Sequence, residues 1–201
     1  MQFNKVTHVL FDLDGLLIDS EDLYTETFTR VSAKYGKQFT WELKASLLGF
    51  QASECADKII ETLELPTTRE EFMALKGVPI ALATSSSQDS VQMKMQNHKE
   101  FLQLFDHLVM GSSDPAVTKG KPDPAIFLVC AARFPDKPKP EDCLVLEDAV
   151  NGMKAANAAN MSVVVVPDPR IDSAQLTGAT LVLRSLEEFK PEVFGLPAYD
   201  E

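Results

Sequence analysis

Six short apolar runs punctuate the chain: Val6–Phe11, Val78–Ala83, Leu108–Met110, Leu144–Leu146, Ser162–Val166 and Thr180–Leu183. Most are apolar at nearly every position, the pattern of strands covered on both faces. Between them lie stretches with helical spacing, Ser87–Asn97, Pro124–Arg133 and Asn151–Ala159. Strand and helix in alternation predict an α/β fold with a doubly wound parallel sheet. Ligands of such a sheet gather beyond the carboxyl ends of its strands.

One interval departs from this rhythm. Between Ile18 and Ala74 no good strand occurs, only helical patterns with turns at Tyr35-Gly36-Lys37, Gly49 and Leu65-Pro66-Thr67. A crossover between parallel strands needs only about a dozen residues. The excess predicts a small helical domain, residues 18–75, inserted into a core formed by residues 1–17 and 76–201. Pro135–Pro140 has the composition of a stiff surface loop, and Gly195-Leu196-Pro197 that of an irregular C-terminus.

Composition narrows the function classes. A chain of 201 residues, 45% hydrophobic with a net charge of −11, can bury a proper core. It lacks the basic balance that binding nucleic acid through its phosphates requires. No apolar run reaches the roughly 20 residues of a membrane span. Asp12 and Asp14 interrupt the first apolar stretch too early for a signal peptide. Cys55, Cys130 and Cys143 are odd in number and form no C-x-x-C pair, as expected of buried thiols in a reducing compartment. A monomer in the cytoplasm is expected.

Chemistry concentrates where the apolar runs end. Asp12 and Asp14 follow the first run; at i and i+2 they share one face of an extended chain, and Gly15 lets the backbone turn away. Two adjacent carboxylates call for a cation or hydrogen-bond donors. Thr84, Ser85 and Ser86 follow the second run, with hydroxyls and free N–H groups suited to phosphate oxygens, or to helix capping. Lys121, between Gly120 and Pro122-Asp123-Pro124, sits on a stiff turn, as a phosphate-neutralising ammonium or as a solvated Lys before a helix. Glu147-Asp148 follows the fourth strand, either as oxygen ligands for Mg²⁺ beside Asp12 or with Asp148 as a helix cap. His8, His98 and His107 are scattered and make no zinc set.

All four pieces are predicted to fall at strand ends that share one edge of one sheet. In identity and order they resemble the motifs of the haloacid dehalogenase superfamily of phosphohydrolases, and residues 18–75 resemble its helical cap. Phe11–Leu17, Ala83–Ser86, Gly120–Pro124, Leu146–Gly152 and the tail Phe189–Pro197 are most similar to its pseudouridine-5′-phosphatase group. The resemblance implies an Mg²⁺-dependent phosphatase acting on a small phosphate monoester such as a nucleotide or sugar phosphate. It implies Asp12 as nucleophile and Asp14 as general acid and base. Thr84, Ser85 and Lys121 would hold the phosphate. Asp12, Asp148 and Asp14 (through its carbonyl) would ligate the metal, with Glu147 in support.

At Ala74–Leu75 the chain is shorter than those relatives by about one helix and its linker, and we read this as an omitted segment. Alternatives are a sugar-phosphate mutase, a phospho-receiver domain and a non-catalytic binding relative. Gly49-Phe50-Gln51-Ala52-Ser53 lacks the Arg by which the mutases grip a second phosphate, and a receiver domain lacks a large insertion after its first strand.

Overall fold

The computed structural model describes residues 2–17, 77–96 and 98–199, with shorter pieces at 32–38, 40, 43, 58, 60–64 and 66. The chain divides into two compact units. The first comprises Met1–Ile18, Val78–Lys94 and His107–Glu201. The second comprises Asp19–Gly77 and Met95–Asp106, a segment that the hydrophobic pattern assigned to the core. In the second unit, residues 32–34 and 60–63 are helical. A short helix, α2 (Lys99–Leu102), leads into an edge-to-face pair of Phe101 and Phe105, 5.3 Å between centroids. The Gly49–Ser53 stretch, Cys55 and the Ala74–Leu75 junction lie outside the described residues.

In the first unit six described strands form one parallel sheet: β1 (His8–Phe11), β2 (Ile80–Thr84), β3 (His107–Met110), β4 (Cys143–Glu147), β5 (Ser162–Val165) and β6 (Leu181–Val182). Their spatial order is β3-β2-β1-β4-β5-β6. The chain therefore reverses direction across the sheet at β1 and β4, the topological switch point where such sheets bind ligands. The register pairs Phe11 with Leu82 on one side and Leu146 on the other. Residues 12, 84 and 147 consequently emerge at one edge.

Side-chain alternation sorts the two faces. Leu10, Ala81, Ala83, Val109, Val145, Val163 and Val165 pack beneath the helices, and Val9, Leu144, Leu146 and Val164 face the other way. The first face is covered by α3 (Ala125–Ala132) and α4 (Val150–Ala158). Asp123 Oδ1 accepts from Ala125 N at 3.0 Å and caps α3. In α4 the buried positions Gly152, Met153, Ala155 and Ala156 have the spacing of one helical stripe. The opposite face receives the C-terminal tail. There Phe194 is fully buried, stacked on Phe3 at 4.7 Å, and Leu196 is buried beside it, so this irregular segment belongs to the core. A shorter helix, α1 (Gln88–Lys94), follows β2 and is anchored by the fully buried Val91.

Cys130 and Cys143 are buried free thiols, pushed upward chiefly by burial, Cys143 to about 12. They are inert at neutral pH. No described helix is long and apolar enough to cross a membrane.

A bidentate pair ties the loop after β3 to the end of α3. Arg133 Nη1 lies 2.5 Å from Asp114 Oδ2, and Nη2 donates to Oδ1 at 2.9 Å. The Arg133 hydrogen bonds outweigh burial and hold the Asp114 carboxyl below its usual 3.8. A carboxyl lowered on folding stabilises above its unfolded value and loses that contribution as pH falls through the folded one. Asp114→Asn keeps an oxygen for the Ala116 N–H but removes the charge. It is expected to cost about 1 kcal/mol near neutrality and almost nothing near pH 2, by urea unfolding at both pH values.

Candidate active site

At the C-terminal edge of the sheet two carboxylates hold one ammonium and a third stands beside them. Asp12, just past β1, is 5% exposed; Glu147, the last residue of β4, is 1% exposed; Lys121 arrives on the 120–124 turn. Lys121 Nζ donates to Asp12 Oδ1 at 2.5 Å, to Glu147 Oε1 at 2.6 Å and to the Ala83 carbonyl at 3.1 Å. Its three protons are thereby used, and it stands 5.0 Å from the centre of the Phe127 ring. Asp12 Oδ2 accepts from the Asp14 N–H at 2.9 Å. Glu147 Oε2 accepts from the N–H groups of Asp148 and Ala149, each at 3.2 Å, and so fixes the turn that leads into α4.

Negative charge is in excess here. Burial works against the Lys121 ammonium, but Glu147 and Asp12 more than compensate and raise it above its usual value. Burial pushes Glu147 up to about 7, with the charge of Asp12 adding to it against the pull of Lys121. Asp148 is raised by burial and then by Asp12. Asp12, Glu147 and Asp148 each present an oxygen within 4.8 Å of the others. One ammonium cannot neutralise three carboxylates, and the all-oxygen donor set suits a hard divalent cation. These residues fit a metal ion.

Two glycines make the arrangement possible. Gly15 has φ +94°, and a Cβ there would lie 2.2 Å from Asp148 Oδ2. In α4, a Cβ on Gly152 would lie 1.9 Å from the Glu147 carboxyl carbon. Glu147 cannot yield without leaving Lys121 or the N–H groups of Asp148 and Ala149. Gly152→Ala is therefore expected to destabilise the protein by about 2–4 kcal/mol through the disturbed buried pair, despite about 1 kcal/mol of helix propensity in favour of Ala. In a Glu147→Ala background the same change should become neutral or stabilising. A double-mutant cycle by denaturant unfolding checks this, and additive effects would refute the contact.

The carboxylate of Asp14 goes elsewhere. Its Oδ2 accepts from Ser86 Oγ at 2.7 Å and Thr84 Oγ1 at 3.2 Å, and its Oδ1 accepts from Lys94 Nζ. Burial would raise this carboxyl, but the bonds from Lys94, Ser86 and Thr84 prevail and hold it below its usual value. The geometry thus gathers Asp12, Glu147, Asp148 and Lys121, with Thr84 fully buried at the adjacent strand end. Ser86 joins Thr84 at Asp14, while the carbonyl of Ser85 accepts from Ser112 Oγ at 2.7 Å. Sequence reasoning passed over Lys94 and Gly152. The available signal for Lys94 was its place two helical turns beyond Ser87, on the face that begins at the strand end.

A family model for haloacid dehalogenase-like hydrolases matches residues 38–160. The chain belongs to this family. It is 44% identical to the "probable pseudouridine-5′-phosphatase" of Drosophila melanogaster, covering 98% of this chain and 97% of the relative. It is 37% identical to (DL)-glycerol-3-phosphatase 2 of Arabidopsis thaliana, covering 98% and 94%. Among solved structures, a haloacid dehalogenase family hydrolase from Deinococcus radiodurans R1 has a TM-score of 0.58 at 22% identity, covering 98% of this chain and 100% of that one. That likeness supports the α/β fold. The alignment with the fly protein runs over 224 positions, 23 more than this chain has residues. The fly protein therefore carries at least 23 residues within the matched span that this chain lacks.

Proposed function

We propose that this haloacid dehalogenase-like hydrolase is an Mg²⁺-dependent phosphatase that transfers the phosphoryl group of a small monoester to Asp12 and then to water. The observation that carries this reading is the buried Asp12 carboxylate, held by Lys121 and the Asp14 N–H between the ends of β2 and β4. One oxygen of Asp12 attacks phosphorus, and the bond from phosphorus to the ester oxygen breaks. Asp14 enters this step as the neutral acid, having taken a proton from solvent, and gives that proton to the departing alcohol. The carboxylate it becomes is the form that Lys94, Ser86 and Thr84 hold. Asp14 then takes a proton from a water molecule, which attacks the phosphoryl group on Asp12 and frees both phosphate and carboxylate.

Thr84, Ser85 and Lys121 hold the phosphate oxygens. Asp12, Asp148 and the main-chain carbonyl of Asp14 would hold the cation, supported by Glu147. When bound, it neutralises charge developing on the phosphoryl oxygens. Residues 18–75 act as a cap that limits water during the first displacement.

For the substrate we propose pseudouridine 5′-phosphate or a related nucleotide or sugar phosphate. The names of the fly relative and of a yeast relative, 34% identical, support this choice. The test is phosphate release from a panel containing pseudouridine 5′-phosphate, uridine 5′-phosphate, glycerol 3-phosphate and a hexose phosphate. Turnover of at least one nucleotide or sugar monoester is expected. A panel that yields no phosphate would reject the phosphatase reading.

A further inference from the structure

We propose that Lys94 is a positioning residue for Asp14, aiming the carboxyl group that serves the leaving oxygen. This rests on the phosphatase reading above. The Asp14 side chain is 42% exposed, on a turn just past β1. Among the described residues, its three side-chain donors all come from the segment formed by β2 and α1. Thr84 and Ser86 share one oxygen, Oδ2, and such a shared attachment leaves the carboxylate free to swing about it. Lys94 holds the other oxygen, Oδ1.

Lys94 also donates to Ser86 Oγ at 3.0 Å. With an ammonium hydrogen directed at its oxygen, the Ser86 hydroxyl is left to point its own proton at Asp14. A single ammonium thus fixes both ends of the carboxylate, one directly and one through Ser86. It can do so because Val91, one turn earlier on α1, is fully buried and holds the helix in place. Lys94 does not contact Asp12, Glu147 or Lys121 through any hydrogen bond among the described residues. Its effect is therefore separable from charge balance at the nucleophile.

The discriminating experiment uses two esters. An alkyl phosphate requires a proton at its departing oxygen; p-nitrophenyl phosphate, with an acidic leaving group, requires almost none. The quantity compared is kcat/KM, which reports steps only through alcohol release. Lys94→Met is expected to lower kcat/KM for the alkyl ester by roughly 10- to 100-fold and for the aryl ester by only about threefold. The loss should fall in kcat rather than KM, and Lys94→Arg should restore most of it. Equal losses on both esters, a loss confined to KM, or no loss would overturn the proposal.

A crystal structure of Lys94→Met gives a readout independent of turnover. The Asp14 carboxylate should leave Thr84 and Ser86, and in Lys94→Arg it should stay. An unmoved Asp14 in Lys94→Met refutes the positioning role. A wild-type protein inactive on both esters would instead reject the phosphatase reading, and the two crystal structures would still decide what Lys94 does.

Discussion

Asp12→Asn is expected to yield a folded protein whose phosphate release is at least about 10⁴-fold below wild type. An amide nitrogen has its lone pair delocalised into the carbonyl, and the amide oxygen is a poor nucleophile beside a carboxylate. The fold should survive because the substitution is nearly isosteric and leaves no buried charge alone. Lys121 keeps Glu147 at 2.6 Å and the Ala83 carbonyl, and the single Asn oxygen can accept from either Lys121 or the Asp14 N–H, so one of the two Asp12 hydrogen bonds is kept. Removing Asp12 also removes a repulsion that raises Glu147. Circular dichroism and thermal melting should therefore be close to wild type while turnover is lost. Activity retained in the purified variant would remove the aspartyl-phosphate step.

How far the sequence was legible depended on whether a signal was local. Buried parallel strands have to be apolar on both faces, so the runs beginning at Val6, Val78, Leu144 and Ser162 contain the strands β1 and β5 and most of β2 and β4. Residues that end a strand inherit their position from it, which is why Asp12, Thr84 and Glu147 could be assigned to one edge before any coordinates. Contacts made across space were not legible in this way. Lys94 has the composition of an ordinary basic residue in a helix's last turn. Only the placement of α1 beside the turn after β1 brings its ammonium to Asp14.

Gly152 is similar: within a helix pattern it reads as a weak former, and its purpose depends on where the Glu147 carboxylate lies. The tail is a third case. Gly195-Leu196-Pro197 suggested irregular backbone, and what that did not reveal is that Phe189, Phe194 (the end of a 3-10 turn, Pro191–Phe194) and Leu196 cover a sheet face. Met95–Asp106 continues the helical pattern that starts after Thr84. Nothing in that periodicity marks where one compact unit gives way to the other.

Removal of divalent metal is the second change expected to abolish turnover. Asp12, Glu147 and Asp148 bring three oxygens within 4.8 Å of one another, and Lys121 supplies one positive charge. The upward displacement of Glu147 and Asp148 has burial as its largest cause and the charge of Asp12 as a further one. A divalent cation relieves that excess, and no other cationic group among the described residues pairs with these three carboxylates. An incoming phosphate adds more negative charge to the same edge, so without the cation it should bind poorly and react more slowly still. Excess chelator is therefore expected to reduce phosphate release to background, with Mg²⁺ restoring it. Ca²⁺ should compete without supporting turnover, because its coordination is looser and larger.

A second readout does not depend on catalysis. A ligand held only by the folded protein stabilises it by about 2.7 kcal/mol at a hundred times its Kd, so Mg²⁺ should raise Tm in a concentration-dependent way. Asp148→Asn should flatten that dependence while leaving the Lys121–Asp12–Glu147 contacts in place. Undiminished turnover in excess chelator, with a Tm indifferent to Mg²⁺, would show that Lys121 alone carries the charge of the transferred group.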